Sequence, residues 1–448
     1  MTEPAPTRPA PTAPAPQLIE LSIGAPAHGG HFVARHEGRV VFVRHALPGE
    51  RVLARVTDGG ADAGFWRADT VEVLEASADR VEHPWAPADA LAAAKAGRPP
   101  VGGAEFGHIA LAAQRRLKGE IFAEQLQRLA KLEREVTVEA PEGEYDDGLG
   151  WRTRAAFGVG PDGRLAMHAH RSDELIPVQV MPLAVDAIND LRLWDLDLTG
   201  LERVEVAAPA DGSTPLVLLV PAAGTTPKRL AKLAERIEPG VSVAAWEPES
   251  GRLTRLRGRT WVAETSGAHQ YRVTGDGFWQ IHRLAPATLT SAVMDGVAPR
   301  AGERMADLYA GAGLFTARLA DAVGVTGNVL SVEGSPAASK DARKNLHGFG
   351  QIEIVQGKVE RVLRSQAQVL DAVVLDPPRA GAGKAVVQAV ASRKPRVVGY
   401  VACDPASFAR DLGYFLQLGW KLDSLRVFDL YPHTHHMESF AVLTPGTN

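Results

Sequence analysis

Cysteine is almost absent from this chain of 448 residues, in which Cys403 is the only one. A single thiol excludes an intramolecular disulfide and cannot supply the set of thiolates that an iron–sulfur cluster needs. Long apolar runs are absent as well, because no stretch reaches the roughly 18 residues of a membrane span. The N-terminus also lacks the apolar region of a signal peptide. We therefore expect a cytoplasmic protein without a membrane segment.

The chain also lacks the positive balance that is typical of nucleic-acid-binding proteins. Its 49 Lys and Arg residues are outnumbered by 53 Asp and Glu residues, and its net charge is −4. Because phosphate contacts usually leave a basic surface, composition argues against a nucleic-acid partner. One local exception surrounds a turn at 161–163, where basic residues cluster: Arg152, Arg154, Arg164, His168, His170 and Arg171. This cluster is either a solvated hairpin or a phosphate-binding stripe.

The pattern of apolar residues divides the first part of the chain into three segments. Residues 1–16 alternate Pro with Ala and Thr, which is typical of a disordered, partly extended arm. Residues 17–75 contain short alternating stretches separated by Gly and Pro, which predicts a small all-β barrel. Residues 76–282 form a mixed α+β central domain, with helices predicted near 111–135 and 227–236.

Residues 283–448 alternate helices with strands, which predicts a doubly wound α/β sheet that binds ligands at the carboxyl ends of its strands. One strand leads through Tyr309 to Gly311 and Gly313 and then into a helix. Glycines let the backbone approach a ligand, and amides at a helix start favour polar or anionic groups. The next strand ends in Glu333, which suits a carboxylate that binds ribose hydroxyls. The turn alone fits a site for NAD, FAD or S-adenosylmethionine, or simply a tight turn without a ligand.

Three later strands carry the remaining unusual residues. One ends in Asp-Pro-Pro-Arg at 376–379, where the two prolines prevent the strand from continuing. The next strand ends at Cys403, at the start of a helix. The last strand follows the segment Tyr-Pro-His-Thr-His-His-Met-Glu-Ser at 431–439. An acid followed by two prolines at a strand end is typical of methyltransferases that act on planar nitrogen bases.

Taken in order, Asp-Leu-Tyr-x-Gly-x-Gly, Asp-Pro-Pro-Arg, Cys-Asp-Pro and Pro-His-Thr-x-His-x-Glu-Ser closely resemble the motifs of the RNA 5-methyluridine methyltransferases. The resemblance implies S-adenosylmethionine-dependent methylation of uracil C5 in ribosomal or transfer RNA. It also implies three domains, namely an OB-like TRAM barrel at 17–75, a central domain at 76–282 and a Rossmann-like class I methyltransferase domain at 283–448. A monomer is expected.

Carried over residue by residue, the resemblance makes Cys403 the nucleophile and Glu438 the base. It assigns cofactor binding to five positions: Gln280, Tyr309, Gly311, Glu333 and Asp376. Because relatives have an arginine-rich segment near residue 152, it also favours RNA contacts by Arg152, Arg154 and Arg171. Arg379 is a further candidate for RNA binding. The histidines at 433, 435 and 436 become scaffolding of the loop around the glutamate, and no metal site is expected.

The chemistry agrees with these roles. Uracil C5 is a poor nucleophile, and a thiolate that adds to C6 activates it, so covalent catalysis is required. A base must then remove the hydrogen from C5 so that the cysteine can leave. The start of a helix favours the thiolate of Cys403 whereas Asp404 opposes it, and the sequence leaves the balance open. We expect the target base to be extruded into a pocket between the central and catalytic domains, with the barrel gripping the RNA around it.

The chain departs from the family at 101–104, where many relatives carry the Cys-Gly-Gly-Cys element of an iron–sulfur cluster. Val101 and Ala104 replace these cysteines, so no cluster is expected, and packing that involves Trp85 is expected instead. Three other functions remain open: a DNA cytosine-C5 methyltransferase, a methyltransferase for an exocyclic amine, and an inactive RNA-binding assembly factor. The target RNA and its uridine are not specified by the sequence.

Overall fold

The computed structural model describes residues 17–60, 63–170, 172–365 and 369–446. The expected arm at 1–16 and Arg171 lie outside the described residues. The described part forms a six-stranded barrel sheet, a seven-stranded central sheet, a two-stranded hairpin and an eight-stranded C-terminal sheet. This arrangement has the expected class, an α/β domain preceded by a small β barrel and a mixed central domain.

The barrel sheet has the strand order β1-β5-β6-β4-β3-β2. Its strands alternate inward apolar and outward polar residues, as in β1, where Ile19 and Leu21 are buried between exposed neighbours. Phe106 and Leu117, which follow the barrel in the chain, complete its core. The strands are β1 (Leu18–Ser22), β2 (Pro26–Ala27), β3 (His31–His36), β4 (Arg39–Arg44), β5 (Arg51–Asp58) and β6 (Phe65–Glu75).

A connecting segment joins the barrel to the other two domains. It contains α1 (Ala90–Lys95), α2 (Leu111–Gln125), a π-helical turn (Leu126–Ala130) and β7 (Val138–Glu139). The helix predicted near 111–135 ends earlier, because Lys131 adopts a left-handed conformation with φ 58°. The short strand β7 then pairs with the edge of the C-terminal sheet.

The central sheet has the order β10-β9-β8-β11-β12-β13-β14. Its helix α4 has the bounds predicted from the sequence, since Thr226 caps the first turn, Pro227 starts the helix, and Leu230 and Leu233 are buried. The elements are β8 (Arg154–Val159), β9 (Leu165–His168), β10 (Leu175–Pro177), α3 (Asp186–Asn189), β11 (Leu201–Ala207), β12 (Leu216–Pro221), α4 (Pro227–Arg236), β13 (Ser242–Glu247) and β14 (Arg252–Arg257). The hairpin of β15 (Trp261–Ser266) and β16 (His269–Thr274) follows.

The C-terminal sheet has the order β19-β18-β17-β20-β21-β23-β22-β7. The strands from β17 to β21 are parallel, and β20 and β21 are buried throughout, as expected for a sheet covered on both faces. The elements are α5 (Ala285–Val297), β17 (Arg304–Leu308), α6 (Leu314–Val323), β18 (Asn328–Glu333), α7 (Pro336–Asn345), β19 (Ile352–Gln356), α8 (Val359–Ser365), β20 (Ala372–Leu375), α9 (Gly383–Ala391), β21 (Val397–Ala402), α10 (Pro405–Gln417), β22 (Trp420–Phe428) and β23 (Glu438–Pro445).

The direction of winding reverses between β17 and β20. The chain proceeds from β17 to β18 and β19 on one side, and then crosses to β20 and β21 on the other. In doubly wound sheets the ligand crevice lies at this switch point, outside the carboxyl ends of the strands. No helix in the described ranges has the length and apolar character needed to cross a membrane. The expected cytoplasmic location stays a prediction.

Candidate active site

A cavity of about 1140 Å³ lies at the switch point of the C-terminal sheet. Its wall combines the ends of β17, β18, β20 and β21 with the segment that precedes α5. Nine residues singled out from the sequence line it: Arg152, Gln280, Tyr309, Gly311, Glu333, Asp376, Arg379, Cys403 and Glu438. The structure therefore brings both candidate catalytic residues and all candidate cofactor residues to one cavity.

The turn after β17 forms one side of this cavity. Tyr309, Gly311 and Gly313 all have positive φ, with values of 65°, 57° and 97°. A Cβ atom added to Gly311 would meet no atom within 4 Å, so this part of the turn borders open space. The Gly311 amide donates to Oε2 of Glu333 at 2.9 Å, and the Ser335 amide donates to Oε1 at 2.5 Å. Glu333 is therefore held at the cavity wall beside the turn.

The opposite wall comes from the segment between β16 and α5. Gln280 lies there as predicted, and it is largely buried. Phe278 also lines the cavity with 66% of its surface exposed, which is unusual for a large apolar side chain. Only Gln280 was assigned from this segment, although Phe278 lies two residues before it in the stretch Phe-Trp-Gln at 278–280.

Cys403 lies directly after β21, and Asp404 is the N-cap of α10, where its side chain accepts the Ser407 amide at 2.7 Å. Burial raises the pKa of the Cys403 thiol to about 12, and the negative charges of Glu438 and Asp376 add to this effect. The Arg379 guanidinium acts in the opposite direction. The thiol of Cys403 is therefore favoured over the thiolate, and the largest cause is burial, which was not one of the two influences weighed from the sequence.

Glu438 is the first residue of β23 and is buried. The Tyr431 hydroxyl donates to its Oε2 at 3.2 Å, a partner that sequence reasoning did not select although Tyr431 begins the histidine-containing segment. Burial, followed by the charge of Asp376, raises the pKa of Glu438 well above its usual value. Burial also raises the pKa of Asp376 to about 7. Both carboxyls therefore retain protons at a higher pH than carboxyls in water.

A second cavity of about 360 Å³ opens on the other side of Cys403, toward the barrel. Its wall combines histidines, arginines and an aromatic residue from several domains: His28, His31, Phe42, Arg67, His170, Arg379, His435 and His436. His28 Nε2 of the barrel lies 2.9 Å from Oδ2 of Asp404, the residue after the thiol. Cys403 thus lines both the large cavity, whose wall includes several carboxyls, and the smaller cavity, whose wall includes arginines, histidines and the carboxyl of Asp404.

The four candidate RNA-binding arginines have different positions. Arg379 is exposed and lines both cavities. Arg152 is partly buried at the wall of the large cavity. Arg154 points inward, where it donates to the Gly277 carbonyl at 2.6 Å and lies 3.6 Å from Glu264. It therefore does not form the exposed stripe expected from the sequence, because β8 enters the sheet at this residue. Arg171 lies outside the described residues.

The histidine segment is tied to the connecting segment. The His433 amide donates to Oε1 of Gln114 at 2.8 Å, and His433 Nε2 lies 2.8 Å from the Asp147 carbonyl. Within the ranges that the structure describes, no group of three His, Cys, Asp or Glu residues could hold a metal ion.

The segment at 101–104 packs as ordinary apolar core. Val101 and Ala104 are buried in one hydrophobic cluster with Trp85 and Ala88. Packing therefore surrounds the positions where relatives have cysteines. The absence of an iron–sulfur cluster stays a prediction.

Comparisons with known proteins agree with this geometry. The family model for tRNA (uracil-5-)-methyltransferases matches residues 361–445, and the TRAM domain model matches residues 17–62. An RNA methyltransferase of Streptomyces avermitilis is 46% identical, with 95% of this chain and 98% of that protein covered. The 23S rRNA (uracil(1939)-C(5))-methyltransferase RlmD of Chromohalobacter salexigens is 33% identical over 95% of this chain and 89% of its own length.

The fold also has a solved counterpart. The tRNA (uracil-54, C5)-methyltransferase of Pyrococcus abyssi, solved with S-adenosyl-L-homocysteine, superimposes with a TM-score of 0.70. The match covers 94% of this chain and 99% of that one at 20% identity, which shows the fold. From the extent and identity of the sequence matches, the chain belongs to the RNA (uracil-C5)-methyltransferases, which are S-adenosylmethionine-dependent enzymes, and it carries an N-terminal TRAM domain.

Proposed function

We propose that this enzyme methylates C5 of a uridine in ribosomal or transfer RNA through a transient bond between Cys403 Sγ and C6 of the base. The observation that carries the proposal is the shared cavity of about 1140 Å³, which is lined by Cys403, by Glu438 and by every candidate cofactor residue. Relatives are named for both 23S rRNA and tRNA, so the proposal includes both RNA classes.

The residues of the large cavity fit the methyl donor. Glu333 would accept ribose hydroxyls, Tyr309 and Gly311 would border the methionine part, and Gln280 and Asp376 would complete the site. The open space beside Gly311 leaves room for a ligand against the backbone. When bound, S-adenosylmethionine supplies an electrophilic methyl group.

The two catalytic residues act on the base one after the other, Cys403 first and Glu438 last. The Cys403 thiolate adds to C6, and the electron pair of the C5–C6 double bond moves toward C5 and the O4 carbonyl. C5 would then form its bond to the methyl carbon as the bond between that carbon and the sulfonium sulfur of the donor breaks, with S-adenosylhomocysteine as the leaving group. Because burial raises the pKa of Glu438, this residue must lose its own proton before it can act as a base. As a carboxylate it then removes the hydrogen from C5, the double bond re-forms, and Cys403 leaves as a thiolate. The net change is one methyl group gained and one proton released.

The reaction can begin only when the Cys403 thiol has lost its proton. Because the pKa of Cys403 is raised to about 12, the thiolate needs a nearby positive charge to form at neutral pH. Arg379 is the neighbouring cation that lowers this pKa. Its position at both cavities allows it to favour the thiolate and to contact a phosphate or the base carbonyl.

The RNA would approach through the smaller cavity. A uridine stacked in folded RNA is out of reach of Cys403, so the base must be extruded toward the thiol. Arg67 and the histidines of this cavity offer partners for the phosphates, and Phe42 offers a face for stacking. The TRAM barrel, which contacts Asp404 through His28, would hold the flanking RNA.

Two substitutions test the mechanism. Cys403→Ala should abolish methyl transfer to RNA while binding of S-adenosylhomocysteine stays intact, because the thiol is needed only for chemistry. Glu438→Gln should methylate C5 but leave protein and RNA joined, since the C5 hydrogen is no longer removed. Denaturing gels with labelled RNA detect the joined species, and mass spectrometry locates 5-methyluridine. Normal turnover of Cys403→Ala would disprove the covalent mechanism.

A further inference from the structure

Glu105 is a buried carboxylate placed between two histidines from different parts of the fold. Its Oε1 accepts the Gly103 amide at 2.9 Å and lies 3.7 Å from Nδ1 of His170. Its Oε2 lies 3.6 Å from Nδ1 of His435. Neither Oε2 of Glu105 nor Nδ1 of His435 has a hydrogen-bond partner among the residues described. A buried carboxylate is costly unless charges or hydrogen bonds compensate it, so the placement calls for an explanation.

The His435 ring is held from three other directions. A Cβ atom added to Gly30 of the barrel would lie 3.1 Å from the His435 ring, so the barrel backbone closes directly on it. Phe106 meets the ring edge-on at 6.5 Å, and the His436 ring lies against it with centroids 4.0 Å apart. The His435 ring therefore forms one side of the packing around His436, and Tyr431 meets the His436 ring edge-on at 6.1 Å.

His436 contacts the guanidinium group of Arg379. Burial, followed by the charges of His435 and Arg379, lowers the pKa of His436 to about 3, so this ring is neutral near pH 7. A neutral imidazole has one acceptor nitrogen, and His436 Nε2 lies 3.3 Å from a guanidinium nitrogen of Arg379. His436 can thus accept a hydrogen bond from Arg379, which a protonated ring could not do.

We propose that Glu105 is a positioning residue that holds His435 and His436 so that Arg379 stands beside Cys403. Four charged groups act on the thiol, namely Glu438, Asp376, Asp404 and Arg379, and Arg379 is the cation among them. Through the two histidines, Glu105 sets how readily the thiol ionises. The functional importance of this effect rests on the proposed role of Cys403 as the nucleophile.

The single cysteine makes the test specific. Alkylation by iodoacetamide, followed by intact-protein mass spectrometry, reports only on Cys403 in the full-length chain. Glu105→Gln should slow alkylation several-fold at about pH 8 and move the pH profile of the rate to higher pH, because a displaced Arg379 no longer favours the thiolate. Arg379→Gln should have the same effect. Glu264→Gln, which changes another buried carboxyl outside this arrangement, is the matched control.

The double variant decides between positioning and a general loss of structure. If Glu105 acts through Arg379, adding Glu105→Gln to Arg379→Gln should change the alkylation rate no further. Independent, multiplicative effects would overturn the proposal. Should Glu105→Gln melt early, His436→Asn interrupts the same arrangement without altering the buried carboxylate, and an unchanged alkylation rate there would also overturn it. Because RNA is absent from this experiment, its failure leaves the methylation mechanism untouched, and failure to trap a covalent adduct leaves this inference untouched.

Discussion

One buried carboxyl of the methyltransferase domain, that of Asp307, has an unusual environment. Asp307 is fully buried at the end of β17, and its Oδ2 accepts the Thr316 hydroxyl of α6. Its Oδ1 has no hydrogen-bond partner within the described part of the chain. Burial therefore raises the pKa of Asp307 to about 7. Asp307 does not line either active-site cavity, although its charge raises the pKa of Asp376, which lines the large one.

The pH dependence of stability should report on Asp307. Because its pKa is higher in the folded protein than in the unfolded chain, the folded state binds more protons between about pH 4 and pH 7, and stability falls as pH rises through this window. Asp307→Asn cannot titrate and keeps an oxygen that accepts from Thr316. Relative to wild type, its Tm should rise between about pH 5 and pH 8 by on the order of a few degrees.

Thermal melts at several pH values check this prediction. Asp423→Asn, which changes a surface carboxyl paired with Lys421, is the matched control and should follow the wild type. Parallel Tm curves for Asp307→Asn and wild type would show that the Asp307 carboxyl is ionised in the folded protein over the whole range.

The identity of the site residues could be predicted where a sequence motif contains them. The burial and orientation of their side chains could not. Cys403 and Glu438 follow from their motifs, and the structure brings both to one cavity. The protonation state of the Cys403 thiol could not be predicted from the sequence, because the largest influence on its pKa is burial, which depends on distant segments. Arg154 shows the same limit, since its inward orientation follows from where β8 joins its sheet.

At the scale of elements, the turn after β17 contains two glycines whose replacement by alanine should have different effects on stability. Gly311 and Gly313 both have positive φ, which costs other residues about 1–2 kcal/mol. A Cβ atom on Gly313 would also lie 2.8 Å from Cδ1 of the buried Leu346. Gly313→Ala should therefore lower the free energy of unfolding by about 1 kcal/mol more than Gly311→Ala does.

Urea unfolding measures the effect of each glycine substitution on stability, and binding of S-adenosylhomocysteine measures its effect on the ligand site. Gly311→Ala would place its methyl group in the open space of the large cavity, so it should weaken ligand binding more than its loss of stability suggests. Equal unfolding energies for the two variants would mean that Leu346 moves aside without cost.

Element boundaries were predictable where local chemistry determines them. Helix α4 begins and ends as predicted because its cap and its apolar spacing lie within a few residues. The end of α2 was not predictable, since its turn at Lys131 packs against α10, far along the chain. The strand β7 was missed for the same reason, because two residues pair with a sheet edge formed about 290 positions later.

At the scale of the whole molecule, the net charge of −4 conceals a local cluster of arginines and histidines. Basic residues from the barrel, the central domain and the methyltransferase domain meet around the smaller cavity. Composition could not reveal this, because the fold brings together residues that are hundreds of positions apart. The argument from composition against a nucleic-acid partner therefore does not apply to this surface.

The barrel arginines offer the final test of how RNA is held. Arg67 lines the smaller cavity, whereas Arg35 is exposed on the same barrel away from it and serves as the matched control. With RNA purified from cells that lack this protein, Arg67→Ala should raise the KM for RNA several-fold. The turnover rate at saturating RNA and the affinity for S-adenosylhomocysteine should stay the same. Losing one phosphate contact should also reduce the slope of log affinity against log salt by about 1. Equal effects of Arg67→Ala and Arg35→Ala would mean that the smaller cavity does not hold the RNA.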